Sequence, residues 1–152
     1  MPEFHGSVTR RVAARPDKVF QLVTDIDRLP EWNARIEQVV ARPASLEVGA
    51  EWVVRLHVPG APRWNSRSRV VELDPEAGRF AYESRTEDGN PSFALWTWEL
   101  ASVEGGTDVT VRWDGNPKTF WRNVLFSRIR RGQLDKEVRA SLDALAGALV
   151  PA

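Results

Sequence analysis

Trp96 and Trp98 stand two residues apart in Trp-Thr-Trp-Glu-Leu, ahead of a Gly105-Gly106 turn and the run Val109-Thr110-Val111-Arg112-Trp113. About thirty residues with helical periodicity follow. This order predicts an aromatic-faced β-hairpin feeding one long C-terminal helix. Side chains at i and i+2 share a strand face, so Trp96, Trp98 and Leu100 line one surface with Val109, Val111 and Trp113 beside them. Such a surface must be covered, and the helix is the cover the chain supplies. A concave sheet wrapped around a helix leaves room for an apolar hollow between the two, so the hairpin points to a binding cavity.

Composition narrows the function. At 152 residues the chain suits one domain, which buries roughly two thirds of its unfolded surface without a disulfide or metal staple. Twenty-one basic residues balance 21 acidic ones, leaving no long-range field to draw nucleic acid or an anionic membrane. The default partner is therefore a neutral small molecule. The absence of cysteine removes thiolate chemistry and any disulfide framework. The start, Met-Pro-Glu-Phe-His-Gly, has no signal pattern, and no stretch approaches the roughly 18 apolar residues of a membrane span. The expectation is a cytoplasmic protein without stable membrane insertion, monomeric or homodimeric.

Residues 4 to 14 read as a strand closed by Arg15-Pro16. Proline suits a first helical turn, and Val19, Phe20, Leu22 and Val23 give residues 16 to 24 an apolar face. Asp27 is the expected cap of a second short helix over Arg28 to Trp32, kept short by Pro30. Six runs then alternate with turn chemistry, over 34 to 42, 49 to 58, 63 to 73, 78 to 86, 91 to 101 and 106 to 114. Breakers separate them at Gly49, Pro59-Gly60, Asp74-Pro75, Gly89-Asn90-Pro91 and Gly105-Gly106, which is the spacing of an antiparallel meander. Asn116 reads as an N-cap and Pro117 as the first residue of a helix to Leu149, about 50 Å long. Phe120, Val124, Leu134, Val138, Leu142, Leu145 and Leu149 keep one face, and continuing that stripe places Ser127 and Arg131 on the same side. A kink at Gly132 is the rival reading, with Trp121, Leu125 and Ile129 forming a separate stripe.

The segments Val12-Ala13-Ala14-Arg15-Pro16-Asp17-Lys18-Val19-Phe20 and Thr24-Asp25-Ile26-Asp27-Arg28-Leu29-Pro30-Glu31-Trp32 carry a family likeness. So do Val70-Val71-Glu72-Leu73 before Arg79-Phe80-Ala81-Tyr82, and Trp96 to Trp113 around Gly105-Gly106-Thr107. In these and in element order the chain resembles the SRPBCC, or START-like, superfamily, specifically its polyketide cyclase/dehydrase branch. The resemblance spans nearly the whole chain and implies a single START-like ligand-binding domain over residues 1 to 152. The implied fold is the α+β helix-grip fold: a curved seven-stranded antiparallel sheet around a long C-terminal helix, with two short helices after the first strand. Members bind lipids, sterols, polyketides, quinones and plant hormones between sheet and helix, and only some are enzymes. The resemblance also implies that Trp32, in the Pro-x-Trp segment, packs the short helices against the sheet near the entrance.

Strand alternation and helix facing turn Trp52, Phe80, Tyr82, Trp96, Trp98, Trp113 and Trp121 inward. Several tryptophans in a small domain suit a ligand-shaped wall, since each is bulky and carries one N–H donor that needs a partner when buried. Ordinary core packing is the competing explanation for each singly. Val124, Ser127 and Arg131 complete the candidate lining, the last two as its polar members. On the strand over 63 to 73, either Asn65, Arg67, Arg69 and Val71 face inward or Trp64, Ser66, Ser68 and Val70 do. An inward Leu73 without a bulge favours the first arrangement, and the cost of burying guanidinium favours the second, which is the expected one.

His5 and His57 are too few and too distant for a metal set, and no HExxH spacing occurs. His57 alternates with Arg55 away from Trp52, Val54 and Leu56, and is expected to face outward. There is no Gly-x-Ser-x-Gly nucleophile and no phosphate loop, and Asp25, Asp27 and Glu31 read as caps and surface charge rather than an acid/base pair. No cofactor or metal is implied. The leading expectation is binding of a small hydrophobic molecule, aromatic, polyketide-like or lipid-like, for sequestration or transport. The rivals are an aromatase/cyclase-type enzyme using Tyr82, Arg131 or an inward serine, and a module that binds another protein through the cavity mouth.

Overall fold

The computed structural model describes residues 4–57, 60, 62–87, 92–116 and 127–149, the side chains of residues 4, 116 and 127–133 excepted. The chain runs β1 (Phe4–Val12), α1 (Pro16–Val23), a 3-10 turn (Ile26–Arg28), α2 (Leu29–Trp32), β2 (Ile36–Ala41), β3 (Glu51–Leu56), β4 (Trp64–Asp74), β5 (Arg79–Thr86), β6 (Phe93–Val103), β7 (Gly106–Asn116) and α3 (Ser127–Leu149). The seven strands form one curved antiparallel sheet in the order β1-β7-β6-β5-β4-β3-β2. Strands β2 to β7 follow one another as a meander. β1 and β2, consecutive in the chain, occupy opposite edges, so residues 13 to 35 carry the chain from one edge to the other.

That crossing is built from local signals. Pro16 starts α1 with its fixed φ and absent N–H, Asp17 adds a negative charge to the first turn, and Val19, Leu22 and Val23 are buried. Thr24 ends the helix by donating both its N–H and its hydroxyl to the Phe20 carbonyl, at 3.0 and 2.7 Å. The second short helix differs from expectation. Asp27 lies inside the 3-10 turn and pairs with Arg42 instead of capping, and α2 is a single turn from Leu29 to Trp32 with Arg28 at its N-cap. Leu29 and Pro30 open α2, and because proline donates no N–H it fits only there.

The β6–β7 hairpin turns on Glu104 and Gly105, the latter at φ +81°, and docks on the corner between β1 and α1. A Cβ on Gly106 would stand 2.0 Å from the Val12 carbonyl oxygen, so only glycine permits that approach. Thr107, next in line and fully buried, donates its hydroxyl to the Ala14 carbonyl at 2.7 Å. The motif Gly105-Gly106-Thr107 thus fastens the start of the crossing to the hairpin.

Strand limits shift by a few residues from expectation, and two shifts have consequences. Asn116 is the last residue of β7, opposite Phe93, rather than a free N-cap. Pro117, Phe120 and Leu125 fall outside the described residues. The α3 backbone is helical through Gly132, from Ser127 to Leu149. Its lower stripe is as expected: Leu134, Val138, Leu142, Leu145 and Ala146 are buried, and Leu149 packs against the same cluster.

This part of α3 packs chiefly on β1 and α2. Two ion pairs hold it there: Arg10 on β1 reaches Asp143 at 2.7 Å, and Arg35, just before β2, reaches Glu137 at 2.9 Å. Replacing the fully buried Leu142 by alanine is expected to lower unfolding stability by about 2 to 5 kcal/mol. Replacing the exposed Ala148 by serine is expected to change it by less than about 0.5 kcal/mol, both read by urea denaturation.

Candidate ligand-binding face

The register of the sheet decides which residues meet on its concave side. Trp52 lies opposite Ser68, Val70 opposite Tyr82, Tyr82 opposite Trp96, Trp96 opposite Trp113, and Trp113 opposite Gly6. Directly opposed residues share a face, so the pairs from Val70 to Gly6 draw one row across the sheet, with Trp52 and Ser68 one step along on the same face. A second row joins Leu73, Phe80, Trp98, Val111 and Val8.

β4 resolves the two arginine readings. A bulge between Val70 and Glu72 adds a residue to that strand and reverses its facing, so Ser66, Ser68 and Val70 point inward before it and Leu73 after it. Arg67 and Arg69 are exposed on the convex side. There Arg67 pairs with Glu51 at 3.0 Å and Glu87 at 2.5 Å, while Arg79 and Arg112 both pair with Glu99. His57 belongs to the same outer charge group through Glu37, whose carboxyl is held below its ordinary range, first by the Arg63 hydrogen bond.

Inside, the rings pack against one another in pairs. Trp52 stacks on Phe80 at 6.1 Å and meets Tyr82 edge-on at 5.0 Å, Trp96 tilts against Trp113 at 6.0 Å, and Trp32 of α2 meets Trp98 in a T-shape at 5.6 Å. Trp32 therefore packs α2 onto the sheet. Trp113 spreads over β1, where a Cβ on Gly6 would lie 2.4 Å from its ring. Trp52, Phe80, Trp98 and Trp113 are buried, whereas Tyr82 and Trp96, on the same concave side, keep part of their surface accessible. Beyond the aromatic rows the concave face turns polar. Ser68 and Ser84 share a hydrogen bond of 2.7 Å, with Ser66 buried beside them. Of the remaining candidates, Trp121 and Val124 lie outside the described residues, and Ser127 and Arg131 are described only as helical backbone.

Tyr82 sits deep among protein atoms despite its accessible surface. Desolvation, the largest influence, pushes its phenol above the ordinary tyrosine range, while the Trp98 N–H and the Arg35 guanidinium pull more weakly the other way. The Trp98 N–H approaches the phenol without reaching hydrogen-bond geometry, and the indole nitrogens of Trp98 and Trp32 are both buried without an acceptor among the described residues. Arg35 and Glu137, which reach this region from the sheet edge and α3, were not legible as site residues. They are 102 positions apart, and their only local signal is that Glu137 borders the Leu134–Val138 stripe. No group of three or more His, Asp or Glu side chains suited to a metal occurs among the described residues.

Residues 3–150 match the family described as polyketide cyclase / dehydrase and lipid transport. The chain belongs to that family. Its fold is shared with protein CV1439 from Chromobacterium violaceum, at 23% identity and a TM-score of 0.77, over 97% of this chain and 98% of that one. It is also similar to the di-domain ARO/CYC StfQ from the steffimycin biosynthetic pathway, at 16% identity and a TM-score of 0.78, over 97% of this chain and 50% of that one. Major latex-like protein 151 from Panax ginseng aligns at 10% identity and a TM-score of 0.75, over 98% of this chain and 99% of that one. No curated protein sequence matches the chain. Together these establish an SRPBCC-type helix-grip fold. No described helix of this family member is long and apolar enough to cross a membrane.

Tyr82 is the only tyrosine, so its ionisation is directly visible. Because its folded pKa is raised, the neutral phenol stabilises the fold fully below about pH 10, and that contribution is lost as pH climbs toward the folded value. Absorbance at 295 nm is expected to show less phenolate at pH 10 in folded protein than in urea-unfolded protein, where about half is ionised.

Proposed function

We propose that the protein binds a small hydrophobic molecule between the concave face of the sheet and the C-terminal helix, and sequesters or transports it. The observation that carries this reading is the accessible surface retained by Tyr82 and Trp96 on a face where Trp52, Phe80, Trp98 and Trp113 are buried. A wall used only for packing would bury all of them alike. The family description, with its lipid transport, supports the same reading.

The division of the sheet also supports it. On the convex side carboxylates neutralise Arg67, Arg79 and Arg112. The concave side offers apolar rings, bordered by serine hydroxyls. Removing apolar ligand surface from water there contributes about 25 cal/mol per Å², and a few polar groups set orientation.

A flat hydrocarbon probe such as fluorene is expected to bind, to change tryptophan fluorescence and to raise the melting temperature by mass action. Trp96→Ala, which removes a partly accessible ring, and Trp98→Ala are expected to weaken binding at least about tenfold, a loss of about 1.4 kcal/mol. Glu104→Ala, in the exposed hairpin turn, is expected to leave it unaltered. Unchanged probe affinity in Trp96→Ala would mean the aromatic wall is packing alone.

A further inference from the structure

Two buried indole N–H groups without acceptors belong to rings that touch on the concave face. Trp32 is 3% exposed and Trp98 6%, their rings are 5.6 Å apart, and neither Nε1 has a hydrogen-bond partner among the described residues. Leaving such a donor unmet is destabilising, because the hydrogen bonds it made to water are not replaced. The T-shaped contact does not relieve both, because at 85° between planes one indole presents an edge and the other a face. An N–H directed at a π-cloud thus satisfies at most one of them.

The surrounding chemistry is one-sided. The Tyr82 phenol lies beside Trp98 and remains a donor, since burial holds it protonated. The Ser68 and Ser84 hydroxyls are turned to each other. The Arg35 charge that bears on Tyr82 is balanced by Glu137 at 2.9 Å, so the corner has donors without a net positive charge. An amine would add donors to a corner that already holds two unmet ones. A carboxylate would be desolvated without a cation of its own. A neutral oxygen with two lone pairs fits both conditions.

We propose that the corner formed by Trp32, Trp98 and Tyr82 receives a neutral carbonyl-type oxygen of the bound molecule, and so fixes which end of an otherwise apolar ligand enters first. This rests on the hydrophobic-ligand reading above. It gives Trp32 a second role beyond packing α2 on the sheet: its N–H helps to recognise the ligand. The preference is for acceptor-bearing ring systems over hydrocarbons of the same shape.

The test compares 9-fluorenone, fluorene and fluorene-9-carboxylate, which share a tricyclic frame, by equilibrium dialysis against the folded protein. Fluorenone is expected to bind about tenfold more tightly than fluorene, as one or two net hydrogen bonds predict. Its carbonyl stretch should move to lower wavenumber on binding than in hydrocarbon solvent. Tyr82→Phe and Trp98→Phe each keep a ring while deleting a donor, and should narrow the ratio of fluorenone to fluorene affinity. Should Trp98→Phe fail to fold, Tyr82→Phe and the wild-type infrared shift still decide the matter. Equal affinity for fluorenone and fluorene, with no infrared shift, would overturn the donor corner while leaving the hydrophobic pocket standing. Tightest binding of the carboxylate would overturn the neutral-oxygen assignment. Failure of all three probes to bind would overturn this inference together with the proposed function.

Discussion

Everything on the concave face depends on how α3 is held against the two ends of the chain that meet there. Leu142 and Leu145 are fully buried against a cluster that includes Val12, Val19, Val109 and Val111, contributed by β1, α1 and β7. This apolar contact dominates the closure energetically, since each such leucine is worth about 2 to 5 kcal/mol while an exposed ion pair contributes about 0 to 1. The two ion pairs give direction to what burial makes stable. Arg10–Asp143 is exposed, with side chains 40% and 69% accessible, whereas Arg35–Glu137 is largely withdrawn from water at 19% and 18%. The second pair is therefore less screened and more sensitive to loss of one partner.

Anchoring α3 on β1 and α2 separates packing from recognition. At the anchored end, valines and leucines form the buried core. Farther along β5 and β6 the inward residues are large rings, two of which stay partly accessible, and then hydroxyls. α2 contributes Trp32 to the boundary between these regions, which is why the chain crosses from one sheet edge to the other before β2 begins. The bulge in β4 serves the same division, since it brings Leu73 into the core without turning Arg67 and Arg69 into it.

Those parts of the fold that depend on local rules could be read from the residues. The period-two alternation of Trp96, Trp98 and Leu100, the breakers between strands, Pro16 at a helix start and the Leu134–Leu145 stripe all act within a few positions of each other. Less legible were features set by register or by distant partners. Alternation alone does not reveal a bulge, so an inward Leu73 stood against the expectation, met in the structure, that Arg67 and Arg69 face outward. Asp27 has the chemistry of a cap but is taken by Arg42, and Asn116 has the same chemistry but is held in β7 by Phe93. At the site, the inward rings were legible one by one. The meeting of the Trp32 and Trp98 rings, and the electrostatic reach of Arg35 to Tyr82, arise only once Trp32 of α2 is brought against β6.

The central claim is that the Tyr82–Trp96–Trp98 surface is a binding wall rather than sheet packing alone, and the seven tryptophan indole N–H signals report on it directly. In nitrogen–proton correlation spectra of the labelled protein titrated with fluorene, the Trp96 and Trp98 indole peaks are expected to move saturably, with one common dissociation constant. Backbone signals of the convex-face residues Arg67 and Arg112 should stay in place. Saturable binding that shifts the convex-face signals while leaving Trp96 and Trp98 unmoved, or no saturable shift at either indole, would contradict the account.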